Sequence, residues 1–260
     1  MPQKQSITLK KALDILEIFG EEHNPLNVKK ISQQSGLPES TLYRYINTLV
    51  EREFVEYDSS IQGYRLGIKL IKLGYAAARQ LEIHRVVYPM MEELARATGE
   101  TVLLTVRKGT AAVVVEVVES PRGGIKLAMN RGDSLPLHSC ALTRPLMAYL
   151  PDKEIDLILQ AEPPKRFTEY TITGFEDIKN ELRRVRRQGY AYSNQELTIG
   201  ARGLGCPIFN HSGAVIATLC LAGSLHHITE KTIPKFLKIL LNATKTCSLK
   251  MGFRGNNIKD

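Results

Sequence analysis

Tryptophan is absent from the 260 residues, and cysteine is scarce at four. Cys140, Cys206, Cys220 and Cys247 stand far apart with no CxxC pair, which argues against a disulfide framework and predicts reduced thiols in a cytoplasmic protein. No apolar run approaches the ~18 residues that would span a bilayer, so no membrane partner is expected. The opening MPQKQSITLKKALD has no apolar stretch of the kind a secretory leader carries. There is no internal repeat and no low-complexity tract. The usual signatures of catalysis are missing as well: no GxxxxGK[ST] loop, no GxSxG elbow and no HExxH pair. GARGLG at 200–205 is not followed by a helical pattern, so it is not read as a phosphate loop.

Charge is present but unevenly placed. The net charge is +8 and the pI about 9.3, which suits an anionic partner. Yet the first 75 residues hold ten Lys and Arg against nine Asp and Glu, while the rest hold 25 against 18. A case for nucleic-acid binding by the N-terminal part therefore rests on residue arrangement. The run RRVRR at 183–187 reads as the solvated face of a helix.

That arrangement lies in residues 28–49, VKKISQQSGLPESTLYRYINTL. It predicts two short helices joined by a tight turn. Val28, Ile31 and Leu37 supply an inward face, Ser32 is small where helices cross, and Gly36 permits the turn. Leu42, Ile46 and Leu49 repeat at i, i+4, i+7. A 3.6-residue period then turns Ser40, Arg44 and Asn47 toward solvent, with Tyr43 and Thr48 flanking, and Thr41 joins the readout candidates. Hydroxyls, an amide and a guanidinium in a row suit base edges and phosphates in a major groove. The other reading is an ordinary helical hairpin with a polar outer face.

Around this pair, Leu9, Ala12, Leu13, Leu16 and Phe19 predict an amphipathic first helix, broken over 20–25. Residues 54–57 and 63–66 predict a hairpin about a polar turn. The whole is a winged helix-turn-helix layout. The wing would set Gln62, Tyr64 or Arg65 against the sugar-phosphate backbone. A connecting helix is expected over 68–87, with Ile68, Ile71, Tyr75, Ala78 and Leu81 along one side, and a second helix starting at Pro89 and ending at Gly99. Beyond it, strands are predicted at 101–106, 111–118, 125–129, 190–193, 206–209 and 215–222. Helices are predicted over 138–150, after a capping box at Thr173 with Phe175, Ile178, Leu182 and Val185 inward, and over 228–249. Strands with interspersed helices make an α/β or α+β domain.

With these elements in order, the chain resembles the IclR family of bacterial transcription regulators from end to end. The matching text is SITLKKALDILEIF, SGLPESTLYRYINTL, GYRLGIKLIKLG, TGETVLLTV, LPLHS, ELRRVRRQGYAYSNQE and IGARGLGCPIFNHSGAVIATLCLAG. The resemblance implies a mixed α and β protein in three parts. These are a winged helix-turn-helix over 1–75, linker helices over 76–98, and a GAF-like effector-binding domain over 99–252. It implies dimers or dimers of dimers on palindromic double-stranded operators. It also implies a metabolite pocket between the helix after LPLHS, the loop near Ser193, and strands at 202–203 and 220–222. The effector residues are then His138, Ser139, Cys140, Leu142, Ser193, Arg202, Gly203, Cys220 and Ala222.

The pocket departs from the family pattern. SCALTRP brings Leu142 and Arg144–Pro145 where small residues and Gly-Lys are usual. Ser193 stands for a frequent acidic residue, Gly203 for a frequent Cys, and Cys220 and Ala222 for two Ser. Fewer polar contacts to a carboxylate are expected. A zinc site from His138, Cys140, Cys206 and Cys220 is conceivable, but no short-spaced ligand pair exists, and no metal or cofactor is expected. His138 is either a core histidine or a pocket group, and Arg202 either pairs with a protein carboxylate or anchors a ligand anion. The expected function is a ligand-responsive regulator, a repressor of a catabolic operon. The alternative is a small-molecule-binding or hydrolytic enzyme with an ancillary helical domain.

Overall fold

Apolar residues on one side of each N-terminal helix decide how those helices pack. In the computed structural model, which describes residues 6–21, 25–60, 62–80, 82–120 and 129–255, α1 spans Ile7–Glu21, α2 Val28–Ser35 and α3 Glu39–Glu51. Ile15 and Phe19 of α1 meet Ile31, Leu42, Ile46 and Leu49, with Leu26 and Val55 closing the cluster. The buried side of α1 is therefore rotated from expectation: Leu9 and Leu13 are 60% and 50% exposed, and Ile15 is fully buried. Asn27 caps α2 by accepting the Lys30 N–H at 2.9 Å. Gly36 ends it in the left-handed region, φ 66°, where a side chain would be strained. Ser32 Oγ donates to the Leu37 carbonyl at 2.6 Å, tying helix to turn.

The hairpin follows as β1, Val55–Asp58, and β2, Gly63–Leu66, antiparallel with Val55 opposite Leu66. Leu26 exchanges two 2.8 Å backbone hydrogen bonds with Tyr64, which fastens the wing to the entry of α2. Helix α4 runs Lys69–Gln80, across the division between the two compact units, Met1–Ala77 and Ala78–Asp260. Ile68 and Ile71 are exposed. The side chains of Tyr75, Ala78 and Leu81 lie outside the described residues.

Helix α5, Glu82–Thr98, contains Pro89 in its interior and does not start there. Proline has no N–H for the Arg85 carbonyl, but both residues are exposed, so water can take that bond and the helix continues. Strands β3 (Thr101–Lys108), β4 (Ala111–Val118), β5 (Ser134–Pro136), β6 (Ala191–Asn194), β7 (Ala201–Phe209) and β8 (Val215–Ser224) form one antiparallel sheet in the order β5-β4-β3-β8-β7-β6. Residues 125–128 of an expected strand lie outside the described residues, and β5 was not foreseen. Of GARGLG, residues 201–205 open β7 and Gly200 sits in the turn before it.

One face of the sheet carries α6 (Arg144–Ala148), α7 (Asp152–Ala161) and α8 (Phe175–Gln188); the other carries α5 and α9 (Ile233–Lys250). This is the expected GAF-like layering. Three local expectations change. Residues 138–143 form turns, and only five residues are helical, because Pro145 suits the first turn of α6 and not its interior. Gly174 caps α8; Thr173 instead accepts from Arg166 Nη2 at 3.0 Å, and Phe175 is 43% exposed. Helix α9 starts at Ile233, with Pro234 in its first turn, while Ile228 packs in the core before it.

Turns 138–143 lie hard against β7. A Cβ at Gly205 would stand 1.9 Å from the Ala141 carbonyl oxygen. Gly205→Ala is expected to destabilise the C-terminal unit by about 1–3 kcal/mol or more, by forcing backbone apart. Denaturant unfolding checks it, and an unchanged midpoint would refute the close approach.

Candidate functional site

On α3 the inward and outward sets separate cleanly. Leu42 and Ile46 are fully buried, while Ser40, Tyr43, Arg44, Asn47 and Thr48 face solvent and Thr41 is half-buried. Thr48 Oγ1 donates to the Arg44 carbonyl at 3.0 Å, which leaves its oxygen free to accept but spends its proton. Gln62 sits exposed in the β1–β2 turn at φ 49°. Arg65 is also exposed, yet its guanidinium lies 3.4 Å from Glu56 and 3.5 Å from Asp58. It reaches a phosphate only by loosening those pairs. Hydrogen bonds from Ser60 hold the Asp58 carboxyl below its usual pKa, so its charge persists.

In the C-terminal unit a cavity of about 50 Å3 lies between turns 138–143, the loop after β6, and β7 and β8. Cys140, Leu142, Ser193, Arg202, Gly203, Cys220 and Ala222 border it, joined by Leu103, Met129, Glu196, Leu197, Thr198 and Ala201. His138 and Ser139 do not. His138 Nε2 lies 3.4 Å from the Lys165 carbonyl, and burial pushes its pKa down, so it is a neutral core histidine. Ser139 Oγ pairs with Thr143 Oγ1 at 3.3 Å.

Arg202 borders the cavity, but its side chain leaves by the other face of the sheet, since Gly203 takes the cavity face and strand side chains alternate. Its Nε donates to Asn194 Oδ1 at 3.0 Å and its Nη1 to the Ile228 carbonyl at 2.9 Å, with Glu230 at 3.5 Å. Of the two sequence readings, the intramolecular pairing is the one present. The thiols are neutral: burial raises Cys140, and raises Cys206 and Cys220 further. Cys206 belongs to the core on the α5–α9 face, whereas Cys140 and Cys220 belong to the opposite core. The sheet thus divides the four residues of the conceivable zinc set. Among the described residues no group of three or more His, Cys, Asp or Glu is placed to hold a metal.

Sequence reasoning passed over the cation that organises this region. Arg144 has 1% of its surface exposed. Its Nε donates to the His138 carbonyl at 3.0 Å, its Nη2 pairs with Glu196 Oε2, and its Nη1 lies 3.9 Å from Glu181 Oε1 with no hydrogen-bond partner. Arg184 in turn holds Glu181 at 3.0 Å. The signal was in the sequence, as an Arg-Pro inside an apolar run and an acidic residue three positions after Ser193. It was legible only as a departure from a pattern, because nothing in it shows which carboxylate meets the arginine.

A family model described as the IclR helix-turn-helix domain matches residues 8–59, and one described as bacterial transcriptional regulator IclR C-terminal matches residues 75–249. The chain belongs to the IclR family. It is 31% identical over 254 residues to the HTH-type transcriptional regulator XynR of Escherichia coli K12, across 97% of this chain and 99% of that one. The transcriptional repressor IclR of the same organism is 24% identical over 252 residues, covering 96% and 91% of the two chains. The crystal structure of the Thermotoga maritima IclR superposes with a TM-score of 0.76 at 30% identity, over 95% of this chain and 99% of that one. The chain is therefore a ligand-responsive, DNA-binding transcription regulator and not an enzyme. No helix among the described residues is long and apolar enough to cross a membrane.

Within this IclR-family domain the Arg144–Glu196 pair is buried, and removing one partner strands the other. Arg144→Met is expected to cost about 3–5 kcal/mol, and the double change Arg144→Met/Glu196→Met to recover most of it. Chemical unfolding of the three variants tests this; additive losses would mean the two charges do not depend on each other.

Proposed function

We propose that α3 enters the major groove of a two-fold operator, that Ser40, Thr41, Arg44 and Asn47 read base edges, and that Tyr43, Thr48, Gln62 and Arg65 meet the backbone. The observation that carries this is the division of α3, with Leu42, Ile46 and Leu49 holding the domain together while the polar set stands free. Two such readers work as a dimer or dimer of dimers. A small molecule in the C-terminal cavity changes operator occupancy, and the chain acts as a repressor. Ligand acts only by binding the DNA-competent and DNA-released arrangements with different affinity.

Arg44 touches no core, so Arg44→Ala is expected to leave thermal unfolding unchanged. It should weaken binding to DNA from upstream of its own gene by ~5- to 150-fold at matched salt, the range of one good base contact. Equal affinity of the variant and the parent in a titration would remove Arg44 from the reading face.

One winged domain covers one half-site, so the protein is expected to be a dimer or tetramer at micromolar concentration. Light scattering decides, and a monomeric mass would rule out paired reading.

A further inference from the structure

The cavity in the C-terminal unit has a polarity opposite to that of a carboxylate-binding site. Among the described residues two arginine side chains lie at or near it, and neither is available to a ligand. Arg202 is engaged with Asn194, Ile228 and Glu230 on the far face of the sheet. Arg144 is sealed behind Glu196 and does not border the cavity. What does border it is Glu196 itself, with the hydroxyls of Ser193 and Thr198 and two neutral thiols in an otherwise apolar wall. Glu196 is buried, and only its Oε2 is committed, to Arg144. Its Oε1 has no hydrogen-bond partner among the described residues.

The loop fixes this carboxylate in place before any ligand arrives. Gln195 takes a left-handed conformation, φ 60°, and its N–H donates to the Ala201 carbonyl at 2.7 Å. Thr168 Oγ1 donates to the Gln195 carbonyl at 2.7 Å, and Thr171 Oγ1 to the Glu196 carbonyl at 2.6 Å. Gly200 N–H closes the turn on Gln195 Oε1 at 3.0 Å. A pre-set acceptor costs little ordering when a donor binds it. A ligand carboxylate would instead meet like charge in an enclosed space, with no free cation among the described residues that border it.

We propose that the effector carries a nitrogen-borne hydrogen-bond donor, an amide, ureide or amidine N–H, to Glu196 Oε1 and brings no carboxylate into the cavity. This rests on the reading of the cavity as the effector site. Ser193 and Thr198 hydroxyls take the ligand's acceptor, and Leu103, Met129 and Leu142 its apolar part.

The test titrates the full-length protein with benzoate, benzamide and benzamidine, one ring with three head groups. Propionate, propionamide and propionamidine run in parallel as a smaller series. Binding is read by thermal shift and by ligand-observed NMR, with Ala222→Met as a cavity-filling control. The amide or amidine of at least one series is expected to bind about tenfold or more tightly than its acid, as suits a charge-assisted hydrogen bond. That binding should disappear in Ala222→Met. In Glu196→Gln the preference should shrink to within about threefold. Where Glu196→Gln proves unstable, Arg144→Gln/Glu196→Gln removes both charges together and carries the same expectation. An acid binding as well as its amide and amidine, a preference that survives loss of Glu196, or no binding in either series overturns the assignment.

Adding the same compounds to the protein bound to DNA from upstream of its own gene separates the two readings. Binding of amide or amidine without any change in DNA occupancy keeps the ligand class and removes the effector role. Release of DNA by an acid, lost in Ala222→Met, keeps the effector role and removes the ligand class.

Discussion

A fully buried guanidinium sets the terms for the whole C-terminal face of this protein. Arg144 lies among α6, α8 and the loop after β6, and a charge held there must be met by opposite charge and by carbonyl oxygens. Three groups do so from three directions: the His138 carbonyl, Glu196 and Glu181. Each requires its own element to be in place. Turns 138–143 must sit directly on β7, which Gly205 permits by having no Cβ. The β6–β7 loop must turn back, which Gln195 and the two threonines ensure. Helix α8 must present Glu181 inward, an acidic residue on a face otherwise built from Ile178, Leu182 and Val185. A buried pair of this kind adds little net stability over an apolar substitute, so its effect is to select one arrangement of the three elements.

That selection accounts for the cavity. The same loop that delivers Glu196 to Arg144 also delivers Leu197 and Thr198 to the edge of β7 and β8, beside Ser193 of β6. The ion pair therefore stands between core and cavity: Arg144 faces the core, and Glu196 borders the cavity. A ligand that engages Glu196 also acts on the group that holds α6 and α8 together. This gives a physical link from cavity occupancy to helix placement that needs no long chain of intermediates.

The sequence conveyed the architecture well and the electrostatics poorly, for definite reasons. Periodicity located α3, the wing and β3–β4 because each buries one side only, and the spacing of Leu42, Ile46 and Leu49 records that directly. It misjudged α1, where Leu9 and Leu13 repeat as regularly as Ile15 and Phe19; a helix with apolar residues on two sides does not say which side is inward. It read turns 138–143 as helix since both are apolar and compact. Pro89 looked like a boundary because the exposure of Arg85 and Pro89, which lets water replace the lost bond, is a tertiary fact. Among the pocket residues, positions near 193, 203 and 220 came from the family pattern. Glu196 did not, and Arg144 showed only as a departure from that pattern, since a salt bridge between residues 52 positions apart leaves no trace in local spacing.

The N-terminal unit poses the complementary question of how a domain with almost no net charge holds DNA. Ten basic against nine acidic residues in the first 75 give little of the general attraction that binds any duplex. Arg65, the one wing cation proposed to meet phosphate, is already shared with Glu56 and Asp58. Weak general attraction shifts the burden onto groups that need the right sequence: the hydroxyls, amide and guanidinium along α3. A reader built this way loses little protein to random DNA, and for the same reason one copy on one half-site falls short of tight binding. Pairing two copies supplies the missing free energy without adding charge, because the second half-site is met at the high effective concentration that linkage provides. Low charge on the reading domain thus favours the proposed pairing of two copies.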